Sequence, residues 1–119
     1  MELIKVSQLI EDKINELTML RSQLALTAES KSQAITHYEK VLAKTMIALR
    51  NGETFDLEGD VIKDPPISII DKLTKGICWN EKLDADKSES KYKNLLVSID
   101  IVKSQLNSLQ SLFRNISHV

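Results

Sequence analysis

Apolar residues near the end of the chain return at strictly alternating intervals. Tyr92, Leu95, Ile99, Val102, Leu106, Leu109, Phe113 and Ile116 step three, four, three, four, three, four, three, and Ala85 and Ser88 extend the row backward. A row of that period lies on one side of an α-helix and predicts a long helix over about 80–117. Leu96 and Leu112 lie beside the row. Asn80 is a candidate cap for this helix, and Glu81 in its first turn complements the helix dipole.

A second row occupies the first half of the chain. Leu3, Ile10, Ile14, Leu17, Leu24, Ala28, Ile35, Tyr38, Leu42, Thr45 and Leu49 are separated by threes, fours or their sums, with Ser7, Arg21 and Lys31 as polar interruptions. This predicts a helix over about 4–50. Val6, Leu9, Leu20 and Leu26, with Met19, widen its apolar face, and a wide face suits a helical bundle better than a strict two-stranded coil. The polar stretch Thr27–Gln33 leaves two readings open. Either the helix runs through it, or Ser30 caps a new helix with Gln33 reaching back in a capping box. Asn51-Gly52 ends the helix, because glycine accepts the left-handed conformation that closes one.

Residues 52–66 connect the two long elements as an acidic loop, with Glu53, Asp56, Glu58, Asp60 and Asp64 set against Lys63. Phe55 and Leu57 alternate with polar residues, and Glu58-Gly59-Asp60 has turn chemistry, so a small β-hairpin and an irregular loop are both compatible with it. Pro65-Pro66 keeps any helix from starting earlier. A short helix is expected over about 68–75, with Ser68 as cap, Gly76 as stop, and Ile69, Ile70 and Leu73 facing inward.

The expected fold is therefore all-α. It is a long antiparallel, coiled-coil-like helical hairpin in one domain, with a loop and a short helix between the long helices. Two helices cover only part of such wide apolar faces. Leu9, Leu20, Leu26, Leu96 and Leu112 are expected to stay wet, at roughly 1.5–3 kcal/mol for each leucine that association would bury. Self-association into a dimer or larger bundle is the natural remedy, and docking on a different protein is the other.

Composition agrees with helices and narrows the chemistry. The 119 residues include only three glycines and two prolines, and aromatics are 4%. Sixteen Lys and Arg against seventeen Asp and Glu, with the signs interleaved, disfavour strong nucleic-acid binding by backbone charge. The single cysteine, Cys78, rules out an internal disulfide and suggests a reducing, cytoplasmic setting. The N-terminal residues lack a signal-peptide pattern, and no apolar run reaches the ~20 residues of a membrane span.

No catalytic constellation emerges, and the expectation is a non-enzyme without metal or cofactor. Gly52, Gly59 and Gly76 are isolated and form no phosphate loop. His37, His118 and Cys78 are too few and too scattered for zinc. Asp56, Glu58 and Asp60 alternate like calcium ligands, but Gly59 comes too early, and the position where a calcium loop carries glutamate holds Ile67. Cys78, between Ile77 and Trp79, reads as a small buried hydrophobe. Trp79 admits two readings, a core residue at a loop–helix joint or an anchor in a binding interface. The candidate interaction residues are Trp79, Phe55, Leu57, Asp56, Glu58, Asp60, Leu96 and Leu112.

The segment Tyr92-Lys93-Asn94-Leu95-Leu96, continued by Lys103-Ser104-Gln105-Leu106-Asn107-Ser108-Leu109-Gln110-Ser111-Leu112-Phe113-Arg114, resembles the C-terminal helix of short all-helical proteins encoded by bacteriophages and prophages. Lys75-Gly76 matches a step that precedes this helix in them. The resemblance covers the last third of the chain. It implies a mobile-element accessory or inhibitory protein that binds a protein partner, and it brings no active site. The long acidic linker, Glu53 to Asp64, departs from that pattern; its carboxylates could meet a basic surface as phosphates do. The alternative is an accessory factor in phage DNA recombination or replication, contacting DNA or a single-strand-binding protein. Lys82, Lys87, Lys91, Lys93 and Lys103 would then serve as a basic stripe, offset by Asp84, Asp86, Glu89 and Asp100.

Overall fold

A computed structural model describes residues 2–118. Its elements are helix α1 (Leu3–Arg50), strands β1 (Phe55–Leu57) and β2 (Asp60–Ile62), a 3-10 turn (Ile67–Ile69), helix α2 (Ile70–Ile77) and helix α3 (Trp79–Ser117). The all-α expectation holds: two long helices are joined by a short hairpin and a short helix.

Helix α1 is unbroken through the polar stretch. The capping box is not used. Gln33 Nε2 makes a weak 3.5 Å contact with Glu29 Oε1, one turn earlier on the exposed side. The buried Thr27 hydroxyl donates to Gln23 O at 2.6 Å. With that buried hydroxyl paired inside the helix, the stretch has no need to break. At the other end α1 closes in a Schellman motif. Gly52 N donates to Leu49 O and Glu53 N to Ala48 O, with Gly52 at φ 85°.

Nine of the eleven expected residues of α1, Ile10, Leu17, Leu24, Ala28, Ile35, Tyr38, Leu42, Thr45 and Leu49, are buried or half-buried, but the continuous buried row is not identical to the expected one. It runs Val6, Ile10, Lys13, Leu17, Leu20, Leu24, Thr27, Lys31, Ala34, Tyr38, Val41 and Thr45 in strict alternation of four and three, all buried or half-buried. Leu3 and Ile14, expected in the row, are 40% and 47% exposed. Leu20, expected to stay wet, is half-buried. The reading by hydrophobicity left out Lys13 and took Lys31 as a polar interruption of the row, because both are charged. A lysine can lay its stem along a seam and keep its ammonium outside; Lys13 Nζ pairs with Glu16 at 3.1 Å. In α3 the expected row is intact, since none of its eight residues is exposed.

The chain divides into two compact units, Met1–Ala28 with Ser90–Val119, and Glu29–Glu89. In the first, Leu17, Ile99 and Val102 form a buried cluster with Leu20, Leu24 and Leu106 against it. Ile10 shares a shallow groove with Phe113. Advancing along α1 therefore means retreating along α3, so the helices are antiparallel. In the second unit Lys82 lies over Tyr38, and Cys78 meets Thr45, which is antiparallel again. Its core gathers Thr45, Leu49, Ile70, Thr74, Cys78 and Ala85.

Between the long helices, the hairpin pairs Phe55 with Ile62 and Leu57 with Asp60. Glu58 and Gly59 both have positive φ, the signature of a two-residue type I′ turn. The next segment corrects the expected short helix. Ser68 sits inside a 3-10 turn and caps nothing, and α2 starts at Ile70 without a side-chain cap. Because Ile69 precedes the helix, it is 42% exposed rather than inward. Gly76 lies within α2, which runs on to Ile77. Cys78 alone is the joint. Its N–H donates to Thr74 O at 3.0 Å, and its carbonyl accepts from Lys82 N at 3.1 Å. The last helix consequently begins at Trp79, one residue before the expected cap.

Candidate interaction surface

In the second unit the hairpin's side chains divide by pleat. Phe55 and Leu57 share one face and are half-buried, while Asp56 points to the other and is exposed. Strand β1 packs against α2, and a Cβ placed on Gly76 would lie 3.5 Å from the Leu57 methyl Cδ2. Part of the Phe55 and Leu57 surface is thus already used inside the unit. Asp56 has a local task too, since its Oδ1 accepts from Gly59 N at 2.9 Å and braces the turn. Glu58 and Asp60 are exposed around it.

Trp79 is not a core residue; it is 46% exposed in the first turn of α3. One turn on, Leu83 is 42% exposed. Residues four apart on a helix are neighbours, so these two form a small apolar patch. Lys82 stands beside it, bound to Asp86 at 3.1 Å and 5.6 Å from the centre of the Tyr38 ring. The Asp86 carboxylate, by hydrogen bond and charge, holds the Lys82 ammonium above its usual pKa. Lys82 is therefore partnered, which weakens the lysine stripe considered for nucleic acid.

A groove of about 510 Å³ also lies in this unit, lined by Leu49, Arg50, Asp64, Pro65, Ile67 and Ile70. Its floor is apolar, since Leu49 and Ile70 are buried, and Ile67 on its rim is 82% exposed. In the first unit Leu96 and Leu112 are exposed, as their place beside the seam implied. The reading of the α3 row passed over Val97 and Ile101, four residues apart and both more than half exposed. Their spacing on the side of α3 away from the seam was a signal available in the sequence. Leu83, four residues after Trp79, was another.

Among the described residues no group of three or more His, Cys, Asp and Glu side chains comes together as a metal site. The buried Cys78 thiol faces the Thr45 hydroxyl at 3.5 Å. Among the same residues no helix is long and apolar enough to cross a membrane. What the surface offers is apolar area on a helical frame. The class defined by the fold is an all-α helical hairpin. Comparison of the chain with protein-family models, with characterised proteins and with solved structures returns no match.

Proposed function

We propose that this protein is a non-enzymatic interaction module that works by presenting apolar helical faces to another protein. One observation carries the reading. Among the described residues eight hydrophobic ones are buried, whereas sixteen large ones are exposed. Scattered apolar residues on a surface are ordinary, but rows of them at helical spacing mark association sites. The Trp79–Leu83 patch is the contact for a foreign partner. Tryptophan dominates the centres of protein interfaces, and here it projects from the rigid first turn of a long helix. The exposed carboxylates of Glu58 and Asp60 on the hairpin would favour a partner with basic groups nearby. The resemblance to phage-encoded helical proteins supplies a setting, an accessory or inhibitory factor of a mobile element.

The test is a photo-reactive benzoylphenylalanine placed at position 79 and irradiated in the native host. The expected result is one discrete adduct with a second protein species, lost when Leu83→Glu is added. Absence of any adduct, or adducts indifferent to Leu83→Glu, would refute the assignment.

A further inference from the structure

Six asparagines lie in the chain, and one differs from the rest in both sequence and setting. Asn15, Asn80, Asn94, Asn107 and Asn115 sit inside α1 or α3, and each precedes a residue with a side chain. Asn51 lies just past the end of α1, is exposed, and precedes Gly52. An asparagine side-chain amide is open to attack by the backbone nitrogen of the next residue, which closes a succinimide ring. Glycine at that next position favours the reaction most, because no side chain obstructs the approach and the backbone turns freely. A helix opposes it, since regular backbone is held away from the ring-closing conformation and the nitrogen's proton is kept in a hydrogen bond.

The fold places a brake on this pair. The Asn51 N–H is shared between Ile47 O at 3.0 Å and Ala48 O at 3.2 Å, while Gly52 N donates to Leu49 O at 3.2 Å and Glu53 N to Ala48 O at 3.0 Å. The attacking nitrogen is thus tied into the turn that closes α1. The Asp64 carboxylate adds to the brake, with Oδ1 3.4 Å from where a Cβ on Gly52 would stand. A negative charge there disfavours the nitrogen anion that must form. Exposed helix ends are nevertheless among the parts of a fold that open most readily.

We infer that Asn51 is a site of self-modification, converted to aspartate and isoaspartate at a rate set by local opening of the α1 C-terminus. In the open turn Gly52 N gives its proton to hydroxide and attacks Asn51 Cγ. A bond forms from Cγ to Gly52 N as the bond from Cγ to the side-chain nitrogen breaks. That nitrogen takes a proton from water and leaves as ammonia. Water then adds to one of the two imide carbonyls and opens the ring, giving aspartate or isoaspartate. Nothing is oxidised or reduced, and water and hydroxide are the only other reactants. The product fits the closed turn poorly. Its new carboxylate stands at the negative end of a 48-residue helix, in a corner that already holds Asp64. Isoaspartate also adds a carbon to the backbone, which moves Gly52 N and Glu53 N out of register with Leu49 O and Ala48 O. The closed turn therefore delays the reaction, and the reaction in turn prevents the turn from closing as before.

The test is incubation of the full chain at mildly alkaline pH, followed by cleavage after glutamate and mass mapping. The fragment spanning residues 40–53 should gain ~1 Da before any fragment carrying another asparagine, and an isoaspartyl methyltransferase should label it. Asn51→Gln, an exposed change that lengthens the side chain, should abolish both signals. In the wild-type chain the rate should climb at urea concentrations below the unfolding transition. In the unfolded chain it should reach roughly tenfold or more of its native value. Modified protein, separated by ion exchange, should melt a few degrees below the unmodified protein. Earlier modification at another asparagine would overturn the inference. So would a rate no faster in urea, a rate that changes only with global unfolding, or equal melting of the two forms.

Discussion

Replacing Leu17 by alanine tests the packing of the first unit directly. Leu17 is 8% exposed and belongs to the buried cluster with Ile99 and Val102. Truncation removes three carbons from this cluster and leaves a void that Leu20, Leu24 and Leu106 can fill only in part. Transfer and cavity terms together predict a loss of about 2–5 kcal/mol. The informative comparison is Ile14→Ala, three residues earlier. Both residues belong to the stripe read from hydrophobicity alone, so that reading makes them equivalent. The structure leaves Ile14 47% exposed, so its truncation loses about half of a side chain's transfer energy and opens no cavity. A loss below ~1.5 kcal/mol follows. Urea unfolding followed by circular dichroism at 222 nm reads both, with the slope checked for a shared unfolded state. Equal losses for the two variants, or a larger one for Ile14→Ala, would refute the observed seam.

Four further outcomes are expected. Gly76→Ala should stabilise by about 0.5–1 kcal/mol in thermal unfolding, because Gly76 is helical and the new methyl group meets only Leu57 at van der Waals distance. Gly52→Ala should destabilise by about 1 kcal/mol in the same assay, since φ there is +85°. The Cys78 thiol, 1% exposed, should react with a disulfide reagent far more slowly in the native protein than in urea; equal rates would contradict its burial. Finally, Asp86→Asn should lower the Lys82 pKa, measured by NMR titration, because the Asp86 hydrogen bond and charge are what raise it. A raised lysine pKa means the Lys82–Asp86 contribution is fully present at neutral pH and fades as pH climbs through and above 10.5; for an exposed pair it is small.

The repeat of α3 could be read without coordinates because its eight seam positions are all apolar, so hydrophobicity and geometry coincide there. The end of α1 was legible for a similar reason, since Asn51-Gly52 carries a local stereochemical requirement that no distant contact is needed to express. Alternation around Phe55 and Leu57, with Glu58-Gly59 between the strands, admitted a hairpin, but a two-residue turn with glutamate at positive φ is a weak local signal. Packing of β1 against α2 favours the paired form.

Local sequence thus determined the helical class, the long helix after the connection, and the stop at Gly52, all of which depend on residues within a few turns of one another. Tertiary structure alone decided that Val6, Lys13, Leu20, Thr27, Ala34 and Val41 join the inward face of α1 and that Leu3 and Ile14 leave it. Lys13, Thr27 and Lys31 occupy seam positions because an antiparallel partner imposes a strict four-three alternation along its whole length, whatever the polarity of a single residue. The start of α3 at Trp79, the helical state of Gly76 and the exposure of Trp79 follow in the same way. They are set by Cys78, whose burial beside Thr45 fixes where one helix ends and the next begins, and that contact joins residues 33 apart in sequence.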